Sequence, residues 1–330
     1  MNLRRQARRS GGGRDTARTA TRYEEAAVSS RADRWVLVFG ATGKQGGGTA
    51  RHLLRRGWPV HAFVRDAQRP AARELRALGA TLVVGDLDDV ASIRAAMTGA
   101  YGVFSVQTPL SQGGVPAEER HGVNIADVAG EIGVGHFVHS SVGGAERPEG
   151  VFWREAKLRI EERIRKHDLP ATFLRPTYFM DNFGQYPPLL EDGGLVYRRG
   201  LAPGKPLQMI ASGDIGFFAA AAFDDPSTIG AKIELAGDEL TGDQIAETFQ
   251  RHTGLPTRFE PVPMAELQRQ SEWQATAYGW LNRIGYQADI PALRRQFPEL
   301  LTLAGWLART GWAPSTAHSA PPAAGVPRNG

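Results

Sequence analysis

The sequence of 330 residues contains no cysteine. This absence excludes disulfide bonds, thiolate nucleophiles and cysteine-ligated zinc or iron–sulfur centres. No apolar run approaches the roughly 18 residues that span a bilayer, so we expect no transmembrane helix. The composition is otherwise that of a globular protein, with 42% hydrophobic and 22% charged residues. The chain is therefore long enough for a large core and has nothing with which to enter a membrane.

The body of the chain also lacks excess charge. Residues 1–34 hold nine arginines and four acidic residues, whereas the remainder carries 30 basic and 31 acidic residues. The net charge of +4 thus belongs to the leader, and the body has no basic stripe that would bind nucleic acid. The leader has no apolar signal core, so we expect a disordered extension, with a transit peptide or twin-arginine signal as the alternative. We expect a cytoplasmic protein with a second disordered segment at residues 313–330.

Strand-like and helix-like segments alternate from Trp35 onward. Apolar runs such as WVLVFG, PVHAFV and HFVHSS are separated by helical stretches. This alternation is typical of βαβ units around a parallel sheet that is covered on both faces. We predict an α/β protein with a doubly wound, parallel-sheet Rossmann fold over residues 35–176. A smaller α/β substrate lobe follows at residues 177–312, with some of its elements returning to the sheet.

Three local patterns in the second half and around residue 157 give sharper predictions. EDGGLVYRRG predicts a hairpin, and TGDQIAETFQRHTG predicts a helix that Thr241 caps and Gly254 ends. In WREAKLRIEERI, the apolar spacing predicts a helix with its leucine and isoleucines on the sheet. Lys157, Glu161 and Arg165 are then expected on the outer side of that helix.

Three glycines, each three residues from the next, follow the first strand in VLVFGATGKQGGGTARHLL. Gly40 permits a tight turn, Gly43 lets the backbone approach a pyrophosphate, and Gly46 lets the helix pack closely on the strand. The amides of residues 42–45 would then face phosphates at the positive end of the helix dipole. A strand, this turn and a helix, in that order, predict a dinucleotide site.

The end of the second strand indicates which dinucleotide is bound. A carboxylate there reads the ribose of NAD, whereas a guanidinium accommodates the 2′-phosphate of NADP. This strand ends at Arg65, whose planar fork of donors fits phosphate, so we predict NADP(H) in preference to NAD(H). We expect Asp66 to cap the following helix. At the third strand's end, Asp86 and Leu87 are predicted to contact adenine, with loop or helix capping as the alternative for Asp86.

Several ordered motifs together resemble the NmrA-like family of atypical short-chain dehydrogenase/reductases. They are GATGKQGG, FVRD, GDLDD, HFVHSS, LRPTYFMDNF, DIG and IELAGDELTGDQIAE, and the resemblance runs from about Trp35 to Trp312. It implies an NADP(H)-binding Rossmann domain and a smaller C-terminal substrate lobe. It also implies cofactor contacts, which include Lys157 and the Tyr178–Asn182 loop beside the nicotinamide: Gly40, Ala41, Thr42, Gly43, Lys44, Gln45, Gly46, Arg65, Asp86, Leu87, Val106, Gln107, Thr108, Lys157, Tyr178, Phe179 and Asn182.

One feature departs from ordinary short-chain reductases. Those enzymes carry a proton-donating tyrosine four residues before the lysine and a serine at the fifth strand's end. Here Lys157 is present and Ser140 or Ser141 is available, but Trp153 occupies the tyrosine position. An indole does not titrate near neutral pH, so the usual general acid is missing.

Two further groups have open roles. Lys157 and Tyr178 are the candidate catalytic residues, although Tyr178 has the alternative of packing with Phe179 and Phe183. Asn182 either bonds the substrate or caps the next helix. No metal site is expected, because His136 and His139 have a spacing that faces opposite sides of a strand.

Two functions remain open from the sequence. The first is an NADPH-dependent reductase of an electrophilic small molecule such as a quinone, enone or azo compound, which needs little acid catalysis. The second is a sensor that binds NADP(H) without turnover and acts through a protein partner, as NmrA-type regulators do. The partner is accordingly a small-molecule substrate or a protein, and the chain is expected to be a monomer or a homodimer.

Overall fold

The computed structural model describes residues 34–109, 113–147 and 151–314. Most of the predicted disordered leader and tail lies outside these residues. Within them, no helix has the length and apolar character needed to cross a membrane.

The strands form one large sheet and two small ones. In chain order they are β1 Val36–Val38, β2 Val60–Val64, β3 Thr81–Val84, β4 Gly102–Val106, β5 His136–Ser140, β6 Ala171–Pro176, β7 Tyr178–Phe179, β8 Leu189–Glu191, β9 Gly194–Arg199, β10 Leu207–Ile210, β11 Lys232–Leu235, β12 Asp238–Leu240 and β13 Thr257–Pro261.

Helices lie between many of these strands, and within the described residues four more follow the last strand. They are α1 Lys44–Arg55, α2 Pro70–Ala77, α3 Val90–Met97, α4 Gly114–Ile132, α5 Phe152–Lys166, α6 Asn182–Gln185, α7 Ile215–Asp224, α8 Gly242–Thr253, α9 Met264–Gln270, α10 Glu272–Arg283, α11 Ile290–Gln296 and α12 Leu303–Thr310, with a short 3₁₀ turn at Pro226–Thr228.

The large sheet is parallel throughout, with strand order β11-β6-β5-β4-β1-β2-β3. Successive side chains of a strand point to opposite faces, and both faces here are buried. Val36 and Val38 pack with α1, α2 and α7, whereas Leu37 packs with α3, α4 and α5. This arrangement confirms the predicted doubly wound Rossmann fold. Because the order reverses at β1 and β4, a crevice opens at the carboxyl ends of these two strands.

Strand β11 returns to the large sheet from the C-terminal half, where it pairs with β6. The other strands of that half form the small sheets β12-β10-β7 and β13-β9-β8. The predicted hairpin is confirmed: β8 and β9 are antiparallel around Asp192 and Gly193, both with positive φ. Helix α8 also begins and ends as predicted, with a capping box at Thr241 and a left-handed Gly254.

The predicted orientation of α5 is wrong for two of its three polar residues. Lys157 and Glu161 are buried, whereas Arg165 is exposed as expected. Glu161 forms a paired contact with Arg175 of β6, with N–O distances of 3.0 and 2.7 Å. Apolar spacing could not indicate this, because a buried ion pair depends on a partner from another strand.

Candidate active site

The turn between β1 and α1 is built around glycines. Gly40 has a φ of 64°, and a Cβ on it would lie 2.8 Å from Cγ1 of Val106 at the end of β4. A Cβ on Gly46 would overlap the Gly40 carbonyl group and lie 2.8 Å from the Phe39 carbonyl oxygen. Neither position has room for a side chain, so the start of α1 lies directly against the turn.

The amino end of α1 has the properties of an anion site. Gly43 is the N-cap residue, no side chain caps the helix, and its first turn contains no acidic residue. The first amides of a helix have no acceptor within the helix, and its dipole favours negative charge there. The Gly43 amide is already used within the turn, because it donates to the Gly40 backbone oxygen at 2.9 Å. The remaining amides at this end of α1 fit the diphosphate of a dinucleotide.

Arg65 lies one residue beyond β2 with an exposed side chain, which has no partner in the described part of the chain. Its neighbour does not behave as predicted. Asp66 accepts a hydrogen bond from the Gln68 amide at 2.7 Å, and the N-cap residue of α2 is Arg69, which makes no side-chain cap. Asp66 therefore closes a local turn, because its short side chain reaches the amide two residues on. Because this hydrogen bond holds the Asp66 carboxylate in the turn, the neighbouring Arg65 side chain can bind a phosphate.

The end of β3 places Asp86 and Leu87 at the same edge of the sheet. Asp86 is exposed, and its Oδ1 accepts a hydrogen bond from the Asp88 amide at 3.0 Å. Leu87 is half-buried against the core. Asp89, not Asp86, caps α3. Asp86 thus closes a loop turn with Oδ1 and does not cap the helix, and its contact with adenine stays a prediction, as does that of Leu87.

Lys157 of α5 lies at the carboxyl end of β4. Its ammonium donates to the backbone oxygen of Gln107 at 2.8 Å and lies 2.9 Å from Oε1 of Glu118 on α4. The two side chains are 9% and 1% exposed. Sequence reasoning missed Glu118, although Glu118, Gly122 and Ile125 follow the helical spacing of the buried stripe of α4.

Further polar groups surround this ion pair. The Gln107 amide donates to Ser105 at 2.9 Å, while its Oε1 has no partner in the described residues. Burial, and then the nearby Lys157 ammonium, hold the pKa of His139 well below its usual value. The ring is therefore neutral, and Lys157 carries the positive charge of the cluster.

The two serines at the carboxyl end of β5 differ in whether their hydroxyl groups already have a hydrogen-bond partner. Ser140 donates to Oε1 of Gln45 at 2.6 Å, which ties β5 to the first turn of α1. The hydroxyl of Ser141 is buried and has no partner in the described residues. Buried hydroxyls are nearly always bonded, so Ser141 is available to a bound molecule. Val106 is half-buried beside the glycine turn and Thr108 is exposed.

The loop after β6 is only partly as predicted. Tyr178 packs on Phe183 with ring centroids 5.9 Å apart. Phe179 instead packs on the hydrophobic core that contains Val36, Val38 and α1. The predicted common cluster of these three rings is therefore wrong, because Tyr178 and Phe179 are neighbours on a strand. Asn182 does not cap the next helix either: Asp181 is at the N-cap, and no side chain caps α6.

A salt bridge joins this loop to the glycine turn. Lys44 Nζ lies 3.1 Å from Oδ1 of Asp181, whose other oxygen accepts from the Ser212 amide at 2.9 Å. The structure thus brings together the glycine turn, the ends of β4 and β5, Lys157 and the loop after β6. Among the described residues no group of three or more His, Asp or Glu side chains could hold a metal ion.

The sequence pattern of the NmrA-like family matches residues 32–286. The chain belongs to the NmrA-like family. An NmrA-like family domain-containing oxidoreductase of Aspergillus hancockii is 33% identical over 254 residues, which cover 69% of this chain and 75% of that protein. An NAD(P)H azoreductase of Xenophilus azovorans is 29% identical over 235 residues, covering 71% and 79%.

Solved structures share the fold of this NmrA-like chain. The NADPH-dependent quinone oxidoreductase of Escherichia coli, crystallised with NADPH, aligns with a TM-score of 0.72 at 21% identity, covering 84% of this chain and 99% of that one. NmrA, a negative transcriptional regulator crystallised with NAD, aligns with a TM-score of 0.71 at 21% identity, covering 83% and 94%. At 21% sequence identity, the similarity to these two structures establishes only the fold of this chain.

Proposed function

We propose that this NmrA-like chain is an NADPH-dependent reductase of small electrophilic molecules such as quinones, enones or azo compounds. The observation that carries the proposal is the buried Lys157 ammonium, fixed by Gln107 and Glu118 beside the glycine turn. The relatives named as an oxidoreductase and an azoreductase support the same class of activity.

In this proposal the cofactor lies along the carboxyl edge of the large sheet. The amides of residues 42, 44 and 45 bind its diphosphate, Arg65 binds the 2′-phosphate, and Leu87 covers the adenine. Residues 35–176 form the dinucleotide unit and residues 177–312 the substrate lobe. NADPH, when bound, supplies the hydride.

Lys157 is suited to orient the nicotinamide ribose. An ammonium group has three N–H donors. One is directed at the Gln107 backbone oxygen, and the 2.9 Å contact with Glu118 is an ion pair without hydrogen-bond geometry, so a donor remains for a ribose hydroxyl. The unpartnered Oε1 of Gln107 and the unpartnered hydroxyl of Ser141 lie just beyond the carboxyl ends of β4 and β5. These groups hold the cofactor in place, and removing Lys157 weakens both its orientation and the field at the reacting carbon.

The choice of acceptor follows from the missing tyrosine. Each two-electron reduction of a quinone, enone or azo group takes up one hydride and one proton. A strongly electrophilic acceptor accepts the hydride without prior protonation, and Lys157, Tyr178 or water then delivers the proton. General acid catalysis raises the rate by about 10²–10⁴-fold, so an unactivated ketone would react slowly in a site that has Trp153 in place of the tyrosine.

The test is loss of NADPH absorbance over a panel of quinones, enones and azo dyes, with an unactivated ketone for comparison. We expect turnover with at least one electrophilic class and little with the ketone. Lys157→Met should lower kcat by about tenfold or more while NADPH still binds. NADPH binding without turnover across the whole panel would reject the reductase.

One observation favours a second function. By the family resemblance Trp153 stands at the position of the proton-donating tyrosine, and the fold is shared with a negative transcriptional regulator. A sensor of NADP(H) would bind the cofactor and no electron acceptor, and its C-terminal half would contact a protein. The acceptor panel separates the two functions, because only the reductase consumes NADPH.

A further inference from the structure

Arg199, the last residue of β9, is a half-buried cation. One of its terminal nitrogens donates to the backbone oxygen of Arg198 at 2.6 Å, and the other donates to the backbone oxygen of Tyr186. These carbonyl oxygens orient the guanidinium and do not neutralise it. A guanidinium has five donors, so others remain for a bound group.

Three phenols surround this guanidinium. Arg199 lies over the Tyr197 ring, 5.1 Å from its centroid. The Tyr178 phenol interacts with Arg199 and with Tyr278. The Tyr197 hydroxyl is completely buried and has no hydrogen-bond partner in the described residues. A buried hydroxyl without a partner calls for a bound water or ligand.

The charge around Arg199 differs from that around its neighbour Arg198. Arg198 pairs with Glu260 at 2.7 Å and with Glu191 at 2.9 Å. No carboxylate of the described residues lies within 4.0 Å of Arg199. The cluster of Arg199 and the three tyrosines is therefore rich in donors and free of acidic side chains. Since burial of an unpaired charge is unfavourable, this cluster favours an anion.

The cluster borders the proposed acceptor site. Tyr178 lies two residues beyond β6, and the same loop carries Asp181, which bonds Lys44 of the glycine turn. Tyr178 therefore places the cluster on the loop that contacts the glycine turn.

We propose that Arg199, together with Tyr178 and Tyr278, binds an oxyanion substituent of the reducible substrate, a carboxylate or sulfonate. This proposal rests on the proposed reductase activity and assigns its substrate class: an aromatic or unsaturated electrophile that also carries an anionic group. The guanidinium fork matches both planar and tetrahedral oxyanions, and the phenols donate the further hydrogen bonds.

The test compares pairs of substrates that differ only in one anionic group, such as a naphthoquinone with its sulfonate and a neutral azo dye with its carboxylate. We expect the wild type to have a higher kcat/KM for the anionic member. Loss of a charged hydrogen bond from such a site lowers affinity by about ten- to a hundredfold. Arg199→Met should accordingly lower the anionic-to-neutral ratio of kcat/KM by about tenfold or more, mainly through KM.

Arg198→Met is the matched control, because it removes the same charge one residue away and should leave the ratio unchanged. Arg199→Lys, which keeps the charge, should retain part of the preference. An equal ratio in wild type, or an equal fall in both Met variants, would overturn the proposal.

Failure of the reductase itself is recognised separately. If no acceptor is turned over, binding of naphthalene sulfonate is measured by quenching of tryptophan and tyrosine fluorescence. Saturable binding that Arg199→Met weakens about tenfold and Arg198→Met does not would support the anion site without the activity. Absence of binding, or an equal loss in both variants, would reject the site.

Discussion

The Lys157 ammonium and the Glu118 carboxylate lie 2.9 Å apart, with side chains only 9% and 1% exposed. The pair joins α5 to α4 at the edge where the cofactor is proposed to bind. Neither oxygen of Glu118 has a hydrogen-bond partner in the described residues, so only the nearby Lys157 ammonium offsets the negative charge of the carboxylate. The pair thus fixes Lys157 in place and is sensitive to the loss of either partner.

Replacing Glu118 with glutamine should destabilise the protein. A buried ion pair that loses one partner leaves the other charge uncompensated, which costs about 3–5 kcal/mol, and glutamine recovers part of this through its amide. We expect Glu118→Gln to lower the free energy of unfolding in urea by about 3 kcal/mol. The double variant Glu118→Gln/Lys157→Gln should lose less than the sum of the two single changes. Additive losses would show that the two groups do not interact.

Glu119→Gln is the matched control for that experiment. Glu119 is the next residue of α4, and it pairs with Arg159 at the surface, where both side chains are at least 30% exposed. Exposed pairs contribute about 0–1 kcal/mol, so this variant should be nearly neutral.

A methyl group on Gly46 should disrupt the cofactor site. Its Cβ would overlap the Gly40 carbonyl group, so the start of α1 must move away from the turn. We expect Gly46→Ala to raise the Kd for NADPH by about tenfold or more, measured by NADPH fluorescence, because the diphosphate amides are displaced. Gly184→Ala is the control, since a Cβ there meets no atom within 4 Å. Equal affinities of the two variants would place the cofactor elsewhere.

Arg65→Ala should change cofactor preference. Arg65 has no partner in the described residues, so its removal breaks no internal contact. Loss of a charged hydrogen bond to the 2′-phosphate should raise the Kd for NADPH by about tenfold or more and leave that for NADH within about threefold. Arg76→Ala, an exposed arginine at the far end of α2, should affect neither. Equal weakening of both cofactors by Arg65→Ala would reject its role in phosphate recognition.

His136 should make stability depend on pH below neutrality. Burial lowers its pKa from 6.5 to about 4 in the folded protein, and its Nε2 lies 2.8 Å from the Thr172 hydroxyl. Between pH 4 and 6.5 the unfolded chain therefore binds more protons, so the free energy of unfolding falls as pH falls through this range. The loss amounts to about 3 kcal/mol. Urea unfolding at pH 7 and pH 4 should show a smaller fall in His136→Gln than in wild type, whereas parallel falls would contradict the assignment.

The sheet and the glycine turn were predictable because their signals are local. An apolar run, a glycine with φ of 64° and a helix without acidic residues in its first turn occupy adjacent positions in sequence. The capping box at Thr241 is local for the same reason. These features depend on backbone conformation and strand burial, and both can be predicted from the residue types within a short stretch of sequence.

Apart from Asp66, whose local turn to Gln68 competes with helix capping, the missed features depend on pairing between distant segments. The sequence around Glu118 is that of an ordinary helix, and its role depends on the packing of α4 with α5, which places Lys157 beside it. The placement of Tyr178 and Phe179 in different cores depends on the pairing of the two-residue strand β7 with β10. Strands of two or three residues are too short to show a period. The acid-free surroundings of Arg199, beside a neighbour with two glutamates, likewise appear only once β8, β9 and β13 are side by side.

The most direct test of the cofactor site is a crystal structure of the protein with NADPH. We expect the diphosphate on the amides of residues 42, 44 and 45, the 2′-phosphate within hydrogen-bonding distance of Arg65, and a ribose hydroxyl on the Lys157 ammonium. A glycine turn left empty at saturating NADPH, or a dinucleotide bound away from Lys157, would contradict it.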